Sequence, residues 1–162
     1  MKLALNRRHR QRGNAMLEFA LASIVLIPVF ANTFQFGFTF YQYLRLEEAV
    51  RNAARYGGSR TFNAGNNNSI AAFRTAVKQM AVYGDPLATS GDSLVPNLAL
   101  SHVNVSLVNE TGAAASANVN PRKVVVSVNG LQINGIFGTV TLTGRPNIEF
   151  PYFGQYLPSG TE

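Results

Sequence analysis

The chain has 162 residues, 46% of them hydrophobic, with no cysteine and a formal net charge of +6. That length holds one small domain beyond a membrane segment, and the absence of thiols excludes a disulfide framework, a Cys-based metal site and thiol chemistry. Lys2, Arg7, Arg8, Arg10 and Arg12 supply five of the fourteen cations with no acid among them, leaving nine cations against eight acids in the rest. The basic pI therefore belongs to the N-terminal tail and does not read as a nucleic-acid footprint.

After this basic tail comes Gly13-Asn14-Ala15-Met16-Leu17-Glu18-Phe19, and then an apolar run that extends to Pro28 and beyond. Glu18 is the exception in it. A carboxylate near the bilayer interior costs about 2.5–3.5 kcal/mol at a helix centre and less near an end. The adjacent sequence offers no buried cation to offset it. A favourable contact with the helix dipole is worth less than that cost. A cut after Gly13, however, would create an α-amine at Asn14, four residues before Glu18. That spacing puts amine and carboxylate on one face of a helix, or lets the carboxylate meet the amine of a neighbouring copy.

From Phe19 to Leu44 there are 26 residues without a charged side chain. As a helix they span about 39 Å, more than a hydrocarbon core of about 30 Å. The first half reads as the spanning portion. The second half, crowded with Phe30, Phe34, Phe36, Phe38, Phe40, Tyr41 and Tyr43 beside Asn32, Gln35 and Gln42, reads as an exit through the interface. The phenylalanine rings suit packing between subunits and anchoring in the bilayer equally. Pro28 is a candidate kink, of a kind membrane helices tolerate. Leu46, Ala49, Val50 and Ala53 then continue one apolar face, Glu47 stands four residues before Arg51, and Gly57-Gly58 is the expected helix stop.

Gly13, the Glu18-Phe19 pair, the basic leader and the apolar run together resemble the processing motif of type IV prepilins. With Leu46-Glu-Glu-Ala-Val-Arg-Asn-Ala-Ala-Arg-Tyr-Gly58 directly after the helix, residues 7–58 are similar to the TadE-like family, pseudopilins of tight-adherence (Tad/Flp) pili. The resemblance implies a leader at 1–13, a prepilin peptidase cutting between Gly13 and Asn14, and an assembly role for Glu18 and Phe19. It also implies other pilin or pseudopilin subunits and a pilus-assembly platform as partners. The chain would be a component of the assembly and a substrate of the peptidase, not an enzyme.

Beyond the helix, Asn63 to Asn68 reads as a polar loop. Ser69 is placed to cap a second helix whose stripe is Ile70, Phe73, Val77 and Met80, ending near Gly84-Asp85-Pro86. Residues 87–100 read as an irregular connection. Alternation predicts strands around Val103, Val105 and Leu107, around Val124, Val126 and Val128, and around Val140 and Leu142. Of Asn129-Gly130 and Asn134-Gly135, one should reverse the chain. Ala113 to Ala117 reads as a small-residue loop, and Pro146, Pro151 and Pro158 argue against a long C-terminal element. The expected fold is α+β: residues 14–58 as a long transmembrane and assembly helix, and 59–162 as an exported head with a short helix and a small antiparallel sheet.

Asp85, Asp92, Glu110 and Glu149 have no spacing to a base, a nucleophile or a phosphate loop, and His9 and His102 offer no ligand spacing. No cofactor, metal or small-molecule substrate is expected. Arg122-Lys123 reads as a solvated pair, and the three Asn-X-Ser/Thr sequons starting at Asn67, Asn104 and Asn109 carry little weight in an Asn-rich chain. The charge asymmetry predicts a cytoplasmic N-terminus in a bacterial inner membrane and a head on the far side. Two other readings compete. A signal peptidase could cut after Val29-Phe30-Ala31 and release a soluble binding domain from Asn32, or the helix could stay uncut as a single-pass anchor within a secretion machine.

Overall fold

In the computed structural model residues 7–63, 67–115, 121–135 and 138–157 are described, with side chains from Asn14 to Gln155. The expectations for Lys2, for the cationic side chains through Arg12, for Ala117 and for Pro158 lie outside this set. The chain divides into two units between Phe38 and Thr39.

In the first unit the described backbone is helical. It belongs to α1 (Arg7–Ser59), which contains Pro28. Proline has no N–H, so the Ile24 carbonyl loses its usual donor there. Three polar side chains of this stretch turn back on their own helix. The hydroxyl of Ser23 donates to the Phe19 carbonyl at 2.8 Å, the Asn32 amide to Pro28 at 2.8 Å and the Thr33 hydroxyl to Val29 at 2.9 Å. Each of these three groups thus finds its acceptor within the helix, as an apolar solvent requires. The large apolar side chains from Met16 to Phe38 are exposed.

The second unit is an α+β fold built on the last part of α1. Leu46, Ala49, Val50, Ala53 and Ala54 are buried there, on the face that their three-to-four-residue spacing predicts. α1 ends at Ser59. Gly57 and Gly58 are buried within it, and their smallness does more than stop the helix. A Cβ on Gly57 would stand 3.1 Å from the side chains of Val77 and Val124, and one on Gly58 would stand 2.6 Å from the Phe150 ring. Glycine lets the helix lie directly against its neighbours.

α2 runs from Asn67 to Tyr83 and starts two residues before the expected cap, which leaves Ser69 inside its first turn. Asparagine caps as well as serine, and the Asn-rich stretch supplies that choice upstream. The expected polar loop is shorter for the same reason: Asn63 belongs to β1 (Phe62–Asn63), Asn67 and Asn68 belong to α2, and residues 64–66 lie outside the described set. Phe73 and Val77 are buried as predicted, with Ala76, Ala81 and Val82 widening the stripe. Ile70 and Met80 pack against the core at its margin. Gly84 ends the helix at φ +77, a conformation that suits glycine, and donates back to Met80 at 3.1 Å.

Three small sheets follow. β2 (Val103–Val108), β3 (Lys123–Val128) and β6 (Asn147–Pro151) form an antiparallel sheet in the order β2-β3-β6. Val103, Val105 and Leu107 stand opposite Val128, Val126 and Val124, and all six are buried. β4 (Leu131–Asn134) and β5 (Thr139–Leu142) form an antiparallel hairpin that begins at the Asn134-Gly135 turn. Asn129-Gly130 instead carries the chain from β3 into this second sheet, with Gly130 at φ +73. The antiparallel sheets are as expected, and beside them β1 pairs in parallel with β7 (Tyr156–Leu157), a two-residue contact beyond that expectation. Two-residue strands carry no periodicity, so only the fold could pair them. In the expected small-residue loop, Ala114 bridges to Val108 and the Ala115 amide donates to Leu107 at 2.8 Å, so its start lines the β2 edge. The irregular connection gives Val95 and Leu98 to the core.

Candidate functional site

Gly13, Asn14, Glu18 and Phe19 all lie on α1. Helical geometry sets Asn14 and Glu18 one turn apart on the same face, as the spacing requires. Both side chains are exposed, and Phe19 is 76% exposed. The described residues hold three ion pairs, Glu47–Arg51, Glu110–Arg122 and Glu149–Lys123. Glu18 is in none of them, so its carboxylate remains open to a cation from outside this chain's described side chains. The surrounding surface is apolar: Leu17, Leu21 and Val25 are all exposed.

Over Asn14–Ser59, α1 contains an unburied window of mean hydropathy 1.9, and among the described residues it is the one helix long and apolar enough to cross a membrane. Such a helix fits a single-pass membrane protein. Residues 13–55 match the family of TadE-like proteins. The TadE-like match begins at Gly13 and ends within α1, so it takes in Asn14, Glu18, Phe19 and the whole uncharged run. It supports a pseudopilin-type role associated with a Tad pilus, and the TadE-like family is one of pilus structural proteins, not of enzymes. No curated protein and no solved structure matches the chain.

The polar residues of the second unit have structural work of their own. His102 accepts the Ala99 amide on Nδ1 at 3.1 Å. The Asn109 side-chain oxygen accepts the amides of Thr111 and Ala113 at 3.0 Å each, which makes that sequon a turn. Arg122 and Lys123 form exposed ion pairs with Glu110 and Glu149, and such pairs contribute little. The Glu47–Arg51 pair is seen as predicted, at 2.6 Å.

A cleft of about 470 Å³ opens between α1 and the β5–β6 turn, lined by Tyr43, Glu47, Arg145, Asn147 and Ile148 among others. Sequence reading missed it. Arg145 and Tyr43 are 102 positions apart in the chain and share no motif. The only local signal was the Gly144-Arg145-Pro146 turn that presents the guanidinium.

Proposed function

We propose that this chain is a TadE-like minor pilin or pseudopilin, inserted in the inner membrane with its N-terminus in the cytoplasm and its α+β head outside. A prepilin peptidase would remove residues 1–13 by cutting between Gly13 and Asn14. The observation that carries this reading is the TadE-like match that opens at Gly13 and runs along α1 through Glu18 and Phe19. In hydrocarbon the Glu18 charge is best offset by the α-amine of Asn14 on an adjacent subunit, which turns a burial cost into a contact that sets register. Leaving the bilayer for a helical bundle would cover the exposed Leu17, Phe19, Leu21 and Val25 with like helices. The partners are the peptidase, other pilin or pseudopilin subunits and the assembly platform.

The deciding measurement is the N-terminal residue of the mature protein. Asn14 supports this reading, Asn32 would make the product a secreted soluble domain, and Met1 would make it an uncut anchor. Gly13→Leu sharpens the test, because the peptidase subsite beside the cut is expected to accept little more than a hydrogen. The variant should accumulate as full-length basic precursor in the membrane, and normal maturation by mass spectrometry would overturn the prepilin assignment.

A further inference from the structure

We propose that the exposed stripe of α1 within the second unit, formed by Tyr41, Leu44, Glu48, Asn52 and Arg55, docks a second copy of this chain. The copy lies parallel and displaced by seven residues, so that Glu48 of one chain pairs with Arg55 of the next. The inference rests on the pilus-assembly reading, from which it takes one thing: copies in such an assembly point the same way. Its own support is the pattern of the stripe. Tyr41, Glu48 and Arg55 repeat at seven-residue spacing, so they fall within about 40° of one another around the helix, on the side opposite the buried Leu46, Val50 and Ala53. All five residues are exposed, including the large apolar surfaces of Tyr41 at 54% and Leu44 at 47%. Their spacing of three and four residues is the repeat by which one helix lies along another.

Charge selects the occupant and the register. Glu48 and Arg55 belong to none of the ion pairs among the described residues. Two helical turns, about 10 Å, separate them, too far to pair with each other. The cations one turn from Glu48 are engaged elsewhere: Arg51 pairs with Glu47 at 2.6 Å, and Arg45 donates to the Tyr41 hydroxyl at 3.3 Å. Arg55 has no carboxylate within four residues on either side. One face thus carries opposite charges two turns apart, and its complement is the same face slid by two turns. An unshifted parallel copy would set Glu48 beside Glu48 and Arg55 beside Arg55, which repel. Slid by seven residues, Glu48 meets the neighbour's Arg55. Tyr41 then comes level with the neighbour's Glu48, and its hydroxyl, which accepts from Arg45, still has a proton to donate. Each copy presents both halves of the contact, so it repeats from chain to chain without closing. A Glu18–Asn14 pair would set a shift of four residues, so the two contacts serve different neighbours.

The chain has no cysteine, so introduced thiols report single positions. Full-length Glu48→Cys and Arg55→Cys, co-expressed in cells and oxidised with copper phenanthroline, should form a mixed disulfide dimer, while either variant alone should form none. Only the shifted register brings the two backbones within disulfide reach. One chain carrying both thiols should link into a ladder of dimers, trimers and higher forms. A product that stops at dimers would mean an antiparallel pair and overturn the proposal, as would a dimer of Glu48→Cys alone. Separately, Glu48→Arg and Arg55→Glu should each lower co-purification of a tagged with an untagged copy about fivefold, the upper range for one exposed ion pair. The double swap Glu48→Arg/Arg55→Glu restores the complement and should recover it, which a misfolded head could not do. No recovery would overturn the proposal. Cross-links from these positions to a different subunit would give the face to that subunit and overturn self-docking. An Asn14 N-terminus without self-cross-linking overturns this interface and leaves the pilus reading standing, whereas an Asn32 N-terminus overturns both.

Discussion

The hydroxyl of Tyr152 donates to the carbonyl of Arg60 at 2.9 Å, joining two residues 92 positions apart. The same oxygen accepts the Phe62 amide at 3.0 Å, so one phenol holds the chain on both sides of Thr61 just after α1 ends. The amides of Phe153 and Gly154 add bonds to the Gly58 carbonyl at 2.7 and 3.0 Å. A Cβ on Gly154 would collide with the Arg60 carbonyl, which is why glycine stands there. The C-terminal segment is thereby fastened to the end of α1 and to β1.

Tyr152→Phe should therefore destabilise the second unit by about 1–2 kcal/mol, the cost of leaving backbone partners unpaired. Thermal unfolding followed by near-ultraviolet circular dichroism checks this. The pH dependence has a definite sign. Burial raises the Tyr152 phenol above its ordinary 10.0, against a smaller opposing pull from the Phe62 amide. Because the folded value is the higher one, the neutral phenol's stabilisation is fully present below pH 10 and lost as pH rises through the folded value. Denaturation curves at pH 8 and above pH 10 should differ more for wild type than for Tyr152→Phe.

Gly58→Ala should cost about 1–3 kcal/mol, because the added methyl meets the Phe150 ring and also a backbone atom, the Pro151 carbonyl, that cannot swing aside. Gly37→Ala is the control: its Cβ would meet nothing within 4 Å. Equal unfolding temperatures for the two variants would contradict the close approach at Gly58.

Glu18 should matter for assembly more than for insertion or cutting. Glu18→Ala removes a charge from an apolar segment and should insert at least as well as wild type. If the carboxylate pairs with a neighbour's Asn14 amine, the matured variant should fail to co-purify with other pilus subunits at matched abundance. Glu18→Asp keeps the charge but loses one methylene of reach, and should fall between. Normal assembly of Glu18→Ala would leave the carboxylate with no role beyond the helix dipole.

The proposed topology rests on the N-terminal tail, with five cations and no acid before Gly13. A reporter active only after export, fused behind Tyr83, should be on. A cytoplasm-dependent reporter at the same point should be off, and the opposite pattern would reverse the orientation.

The periodic elements were legible in the residues themselves. The Leu46-Ala49-Val50-Ala53 face, the Phe73-Val77 stripe and the alternating valines of β2 and β3 each announce themselves because burial on one face repeats at the helical or strand period, whereas the uncharged run from Phe19 to Leu44 does so by its length and apolarity alone. The motif around Gly13 and Glu18 was legible for a different reason: a charge in an apolar segment is costly enough to need an explanation within a few residues. Neither kind of signal exists for the pairing of β1 with β7, for the choice of Asn134-Gly135 over Asn129-Gly130 as the hairpin turn, or for the start of α2 before Ser69. Those depend on which surfaces meet. Phe62 reaches β7 because Tyr152 and Gly154 fit against the end of α1, and Arg145 lines the same cleft as Glu47 because the β5–β6 turn lies beside this part of the helix. Local periodicity is a property of neighbours in the chain, whereas these contacts join residues up to about a hundred positions apart and are decided by packing alone.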